Sequence, residues 1–138
     1  MLRRGTTTNE NNGPMPVTVV NHEVSRQVIA VVTGDIRITE IMAFVAAARA
    51  GEQRSWAFIF DTSGAVIDLS SADVQSVAEF AAAEFQKSPI GPVALIASDV
   101  AIFGISRMFQ AYSSASGRPN VGVFKTLEEA QSWLSRIK

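Results

Sequence analysis

The sequence predicts a single α/β domain, a mixed five-stranded sheet with four helices in the order ββαβαβαβα. Three observations predict it. Short β-branched apolar runs alternate with longer segments of helical period. The first two strand segments are joined by a short polar link, which favours an antiparallel pair; the later ones are separated by helices, which implies parallel strands and right-handed crossovers. The length, 138 residues with 47% apolar and 18% charged, is that of one domain with a core of its own.

The elements follow in order. Residues 1–16 are rich in Thr, Asn, Gly and Pro, lack periodicity, and are expected to form a disordered tail ending at Pro14 and Pro16. The domain is expected to occupy residues 17–138. Val17–Asn21 and Gln27–Thr33 read as strands of a hairpin, with Gly34-Asp35 closing the second. Ile41, Phe44, Val45 and Ala48 recur on one helical face, with Thr39 as the expected N-cap and Gly51 as the stop. Trp56–Phe60 is apolar throughout, as in a strand covered on both sides.

Ser70–Lys87 is expected to be the second helix, with Val74, Val77, Ala78, Ala81 and Phe85 inward. Ser70 and Asp73 have capping-box spacing, and Pro89 and Pro92 flank the break that follows. Val93–Ala97 is another buried strand. A third helix runs from about Ser98/Asp99 to Ser114, with Ile102, Ile105, Phe109 and Tyr112 as its core face. The loop around Gly117 and Pro119 leads to a last strand, Asn120–Phe124. A last helix, Thr126–Ile137, is capped by Thr126 and Glu129, with Leu127, Ala130, Leu134 and Ile137 inward.

Composition excludes several function classes. Twelve basic and thirteen acidic residues give a net charge of −1, and no basic stripe of the kind that binds nucleic acid is present. Residues 55–99 hold six acids and one base, whereas residues 100–138 hold five bases and two acids. Two oppositely biased surfaces account for this; a docking face with charge complementarity is the functional alternative. Cysteine is absent, which removes disulfides and thiolate chemistry and suits a cytoplasmic protein. The basic start Met1–Arg4 is not followed by an apolar segment, so no signal peptide is expected.

Candidate sites are few. Beyond the carboxyl ends of the strands, where α/β sheets bind ligands, the pattern places Asp61, Thr62, Ser63, Gly64, Ser98, Asp99, Lys125 and Thr126. A polar or anionic-ligand edge is one reading; ordinary capping and turn chemistry is the other, and is preferred. Asp61, Asp99 and Lys125 would be the acid–base groups of an enzyme, but caps explain both carboxylates more cheaply. His22, the single histidine, falls at the hairpin turn, so no catalytic triad or metal site is expected. Glycines occur singly, without a phosphate loop or dinucleotide fingerprint, so no cofactor is expected.

The third helix is the most unusual element. Ala101, Ile102, Phe103, Ile105, Met108, Phe109 and Tyr112 spread over far more than one stripe. Either the helix is sunk deep in the domain, or an apolar flank is left for a partner, a second subunit, a membrane surface or an apolar ligand. On the second reading Ile102, Phe103, Met108 and Phe109 line or gate a pocket, and Arg107 meets a ligand head group. A surface salt bridge is the duller account of Arg107. An exposed apolar helix also leads to the expectation of a homodimer.

The segments Val93-Ala94-Leu95-Ile96-Ala97-Ser98-Asp99, Phe103-Gly104-Ile105-Ser106-Arg107-Met108-Phe109, Val123-Phe124 and Glu128-Glu129-Ala130-Gln131-Ser132-Trp133-Leu134 together resemble the SpoIIAA-like family of small bacterial STAS-type proteins. The resemblance implies a STAS-like fold related to lipid-carrier domains, no established enzyme activity, and an apolar or lipid-like ligand with peripheral membrane contact. For STAS regulators it implies instead docking to a protein partner, as in anti-sigma-factor antagonists, switched by a phosphoserine at a helix start. In this chain Asp68-Leu69-Ser70-Ser71 matches that helix start, with Leu69 at the acceptor position. Ser70 and Thr62 are the alternative modification candidates.

Overall fold

The computed structural model describes residues 17–50, 52–87, 90–116 and 120–137. The tail expected over residues 1–16, Gly51, Pro89, Gly117 and Pro119, and the side chains of Ala48 and Phe85, lie outside the described residues. The elements are β1 (Val17–His22), β2 (Gln27–Ile36), α1 (Ile38–Ala50), a single 3₁₀ turn (Glu52–Ser55), β3 (Ala57–Ile67), α2 (Ser71–Lys87), β4 (Val93–Ile96), α3 (Val100–Ala115), β5 (Val121–Phe124) and α4 (Leu127–Arg136). The five strands form one mixed sheet in the spatial order β1-β2-β3-β4-β5. The β1–β2 pair is antiparallel and the other three pairs are parallel.

That order decides where the helices go. Three successive right-handed crossovers stepping the same way across a sheet place all their helices on one face. Accordingly Val17, Ala30 and Val32 pack with Ile41 of α1, Val77 of α2 and Phe109 of α3. The opposite face has only α4, whose Ala130, Trp133 and Leu134 meet Ile59, Ala94 and Ile96. A reciprocal amide pair fastens α4 to the start of β2: Gln27 Nε2 donates to Gln131 Oε1 at 2.8 Å, and Gln131 Nε2 donates to Gln27 Oε1 at 2.9 Å. Leu127, expected to point inward, is 42% exposed. It stands at the first position of α4, before the helix has returned over the sheet, and Trp133 against the Phe124 ring (5.3 Å between centroids) takes its place in the docked stripe.

The largest departure from expectation is the length of β3. Asp61-Thr62-Ser63-Gly64 is not a turn after a short strand; β3 runs on to Ile67, paired with an equally extended β2. The register passes from Val31↔Asp61 to Thr33↔Gly64, so Thr62 and Ser63 together oppose Val32. This is a β-bulge, and one extra residue reverses which side chains face which way. Phe58, Phe60 and Thr62 face the three helices before it, and Ala65 and Ile67 face them after it. Without the bulge Ile67 would point to the opposite side. Asp61 Oδ1 accepts the Ser63 N–H at 2.9 Å, satisfying a donor at the bulge.

Helix starts follow local chemistry. Helix α1 begins at Ile38 rather than after Thr39, because Glu40 Oε1 reaches back to the Arg37 N–H at 2.8 Å while the Arg37 carbonyl accepts from Glu40 and Ile41. Thr39 is therefore inside the helix. The box on α2 forms as the spacing predicts: Ser70 N–H donates to Asp73 Oδ2 (3.2 Å) and Asp73 N–H donates to Ser70 Oγ (3.1 Å). Asp99 Oδ1 caps α3 by accepting from Ala101 (2.8 Å) and Ile102 (3.1 Å). Thr126 Oγ1 caps α4 through the Glu129 N–H, while Glu129 Oε1 closes back on Lys125 N–H. Ser70→Ala is expected to cost about 1 kcal/mol in urea unfolding; an unchanged midpoint would show that the box contributes nothing.

Candidate functional site

Between the sheet and its three helices lies an apolar cavity of about 100 Å³. Its floor is Phe58, Phe60 and Thr62 of β3 with Val93 and Leu95 of β4. Strand alternation puts these on one side, while Ile59, Ala94 and Ile96 face α4. Helix α1 contributes Ile41, Phe44 and Val45, and α2 contributes Val74, Val77 and Ala81. From α3 come Ile102, Ile105, Ser106 and Phe109, at the i, i+3, i+4, i+7 spacing of one helical face. Ile67 and Leu69 line the cavity from the end of β3 and the β3–α2 connection, where the bulge has set the direction of Ile67.

The interior is aromatic at its centre. The Phe44 and Phe60 rings stack with centroids 5.4 Å apart, and Phe44 and Phe58 meet at 6.2 Å. No Asp, Glu, Lys, Arg or His lines the cavity among the described residues. Two hydroxyls supply its side-chain polarity. Thr62, 3% exposed, donates from Oγ1 to the Ile96 carbonyl at 2.7 Å. Ser106 is 7% exposed.

The residues singled out from sequence divide. Ile102 and Phe109 line the cavity; Phe103, Arg107 and Met108 do not. They lie off the cavity-lining face of α3, Phe103 and Met108 half-buried at its two margins and Arg107 exposed. The Phe103 ring has the Lys125 ammonium 5.7 Å from its centroid, a cation–π contact of about 0.5–1 kcal/mol at an exposed site. The polar edge is also redistributed. Thr62 is buried and joins the cavity instead, so its hydroxyl is not an exposed modification site. Asp61 and Asp99 are each engaged with neighbouring backbone N–H groups, at the bulge and at the α3 cap. Ser63, Ser98 and Lys125 are exposed, and Ser70 is exposed with its hydroxyl in the α2 cap.

Sequence reasoning missed Ser106 and the contribution of α1. Ser106 carried a readable signal, since it falls on the same helical face as Ile102 and Phe109. The cavity itself depends on how separate elements are spaced and leaves no local trace. Among the described residues there is no group of three or more His, Cys, Asp or Glu placed to hold a metal ion, and no helix long and apolar enough to cross a membrane. Comparison with protein-family models and with curated proteins finds no match for this chain.

Proposed function

We propose that this chain is a binding module for a small apolar molecule, held between the sheet and helices α1–α3. The observation that carries the reading is the cavity: about 100 Å³ of space bounded by aliphatic and aromatic side chains and two hydroxyls. Well-packed interiors hold few voids larger than a water molecule. An apolar cavity favours an apolar guest over water, and an enclosed one of ~150 Å³ accepts benzene; this one is smaller but partly open to solvent, so a ring enters it from the mouth. The lining atoms lack dispersion partners on their open side, and a guest of matching shape restores them. The SpoIIAA-like resemblance points the same way, toward a non-enzymatic carrier or sensor of an apolar ligand. The size narrows that expectation from a whole lipid to one ring or a short chain.

The test is titration with toluene, followed by methyl resonances of the folded protein. Saturable shifts are expected at Ile41, Val45, Val77 and Ile102, with a Kd on the order of 0.1–1 mM, equivalent to about 4–5.5 kcal/mol. Ala81→Leu, which puts three carbons into the same space, is expected to abolish them while the fold is kept. Shifts that are absent, or that persist unchanged in the filled variant, would overturn the reading.

A further inference from the structure

We infer that the ligand of this cavity is a neutral molecule with one hydroxyl on an apolar body, a phenol or small alcohol, recognised by Ser106 and Thr62. The inference deepens the binding reading above and rests on it.

Charge is the first discriminator. A carboxylate or ammonium in the cavity would be taken out of water with no opposite charge in the lining, which strongly disfavours acids and amines. The hydroxyls then define the polar group. Ser106 is 7% exposed and lines the cavity, and its hydroxyl makes no hydrogen bond to any described residue. A serine inside a helix commonly returns its proton to the carbonyl four residues back; Ser106 does not, so it can donate or accept. The Ser106 hydroxyl keeps some access, and in a cavity with so few polar atoms a guest hydroxyl gives it a partner.

Thr62 restricts the guest further. Its single hydroxyl proton is given to the Ile96 carbonyl at 2.7 Å, so only its lone pairs remain for a ligand. The sheet wall therefore offers an acceptor, and the α3 wall a group that can donate. A ligand hydroxyl can serve either wall, accepting from Ser106 or donating to Thr62. An ether or ketone has no proton for Thr62, and a hydrocarbon satisfies neither. Ser113 provides the contrast on the same helix: its hydroxyl is fully buried without a partner and lies outside the cavity lining.

The test compares three probes built on one ring: toluene, phenol and benzoate. Each is titrated into the wild-type protein and into Ser106→Ala, again by methyl shifts. Phenol is expected to bind wild type about threefold to tenfold more tightly than toluene, the range of a net hydrogen bond. Benzoate is expected to bind at least about a hundredfold more weakly than phenol, as an unpaired buried charge requires. Ser106→Ala is expected to weaken phenol about tenfold and to leave toluene within a factor of two, which also reports that the variant is folded. An unchanged phenol-to-toluene ratio in Ser106→Ala, or benzoate matching phenol, would overturn the inference. Toluene binding without phenol binding would leave the apolar-site reading standing and remove this one; binding by neither would remove both.

Discussion

Gly91→Ala is expected to be among the most damaging single substitutions in the chain, costing at least about 3 kcal/mol. A Cβ at position 91 would overlap the Trp56 carbonyl oxygen and stand 2.5 Å from its carbon and 2.7 Å from the Ser55 oxygen. These are backbone atoms, so no rotamer change can relieve the overlap. The approach is held from both sides, because Gly91 N–H donates to the Arg54 carbonyl (2.9 Å) and Phe58 N–H donates to the Pro92 carbonyl (2.8 Å). Relief therefore requires β4 to move away from the start of β3. Against a typical domain stability of about 5–15 kcal/mol, that loss would bring the urea midpoint down sharply. Gly104 is the internal control. It is exposed in the middle of α3 and its Cβ would meet nothing within 4 Å. Gly104→Ala should stabilise by about 1 kcal/mol through helix propensity alone. Equal midpoints for the two variants would contradict the steric role assigned to Gly91.

Ile59→Ala should cost about 2–5 kcal/mol, the range for emptying a buried aliphatic site. Ile59 is fully buried in the central strand, paired across the sheet with Ile29 and Ala94 and covered by Ala130 of α4. Its side chain faces away from the cavity, so the same variant should bind toluene with unchanged affinity while unfolding at lower urea. Loss of toluene binding at a temperature where the variant is folded would contradict the separation of the two faces. Hydrogen exchange should place the largest loss of protection in α4, whose ten residues dock on the side chains that Ile59 joins.

The element order and both Ser/Thr capping boxes were legible because they depend on neighbours in sequence. Val93–Ile96 is buried at every position, as its unbroken apolar run implies. Extension of β2 and β3 was not legible for a physical reason. Thr33-Gly34-Asp35 and Asp61-Thr62-Ser63-Gly64 each have the composition of a turn, and Asp and Gly are depleted in strands. The two segments meet across the sheet, and their pairing holds them extended. Gly34 at φ +72° shows how far that stretch departs from ordinary strand backbone. For the site, the α3 face was half visible: Ile102 and Phe109 follow from periodicity, whereas Phe103, Arg107 and Met108 were drawn in by their chemistry from outside the lining face. Thr62 was read as part of an exposed polar edge because nothing local announces that a bulged strand would bury it.

The one-helix face is completed last during synthesis. Neighbouring strands are consecutive in the chain, so the sheet can grow in the order in which the ribosome delivers it, with each crossover helix covering the three-helix side as it arrives. The other side must wait. Ile59, Ala94 and Ile96 have no cover until residues 127–136 emerge, and at about 5–20 residues per second the stretch from Ile96 to Arg136 takes roughly 2–8 seconds. During it the nascent domain presents a bare apolar sheet surface, the kind of species that chaperones hold and that aggregates when they do not. A stop after Lys125 would make that interval permanent.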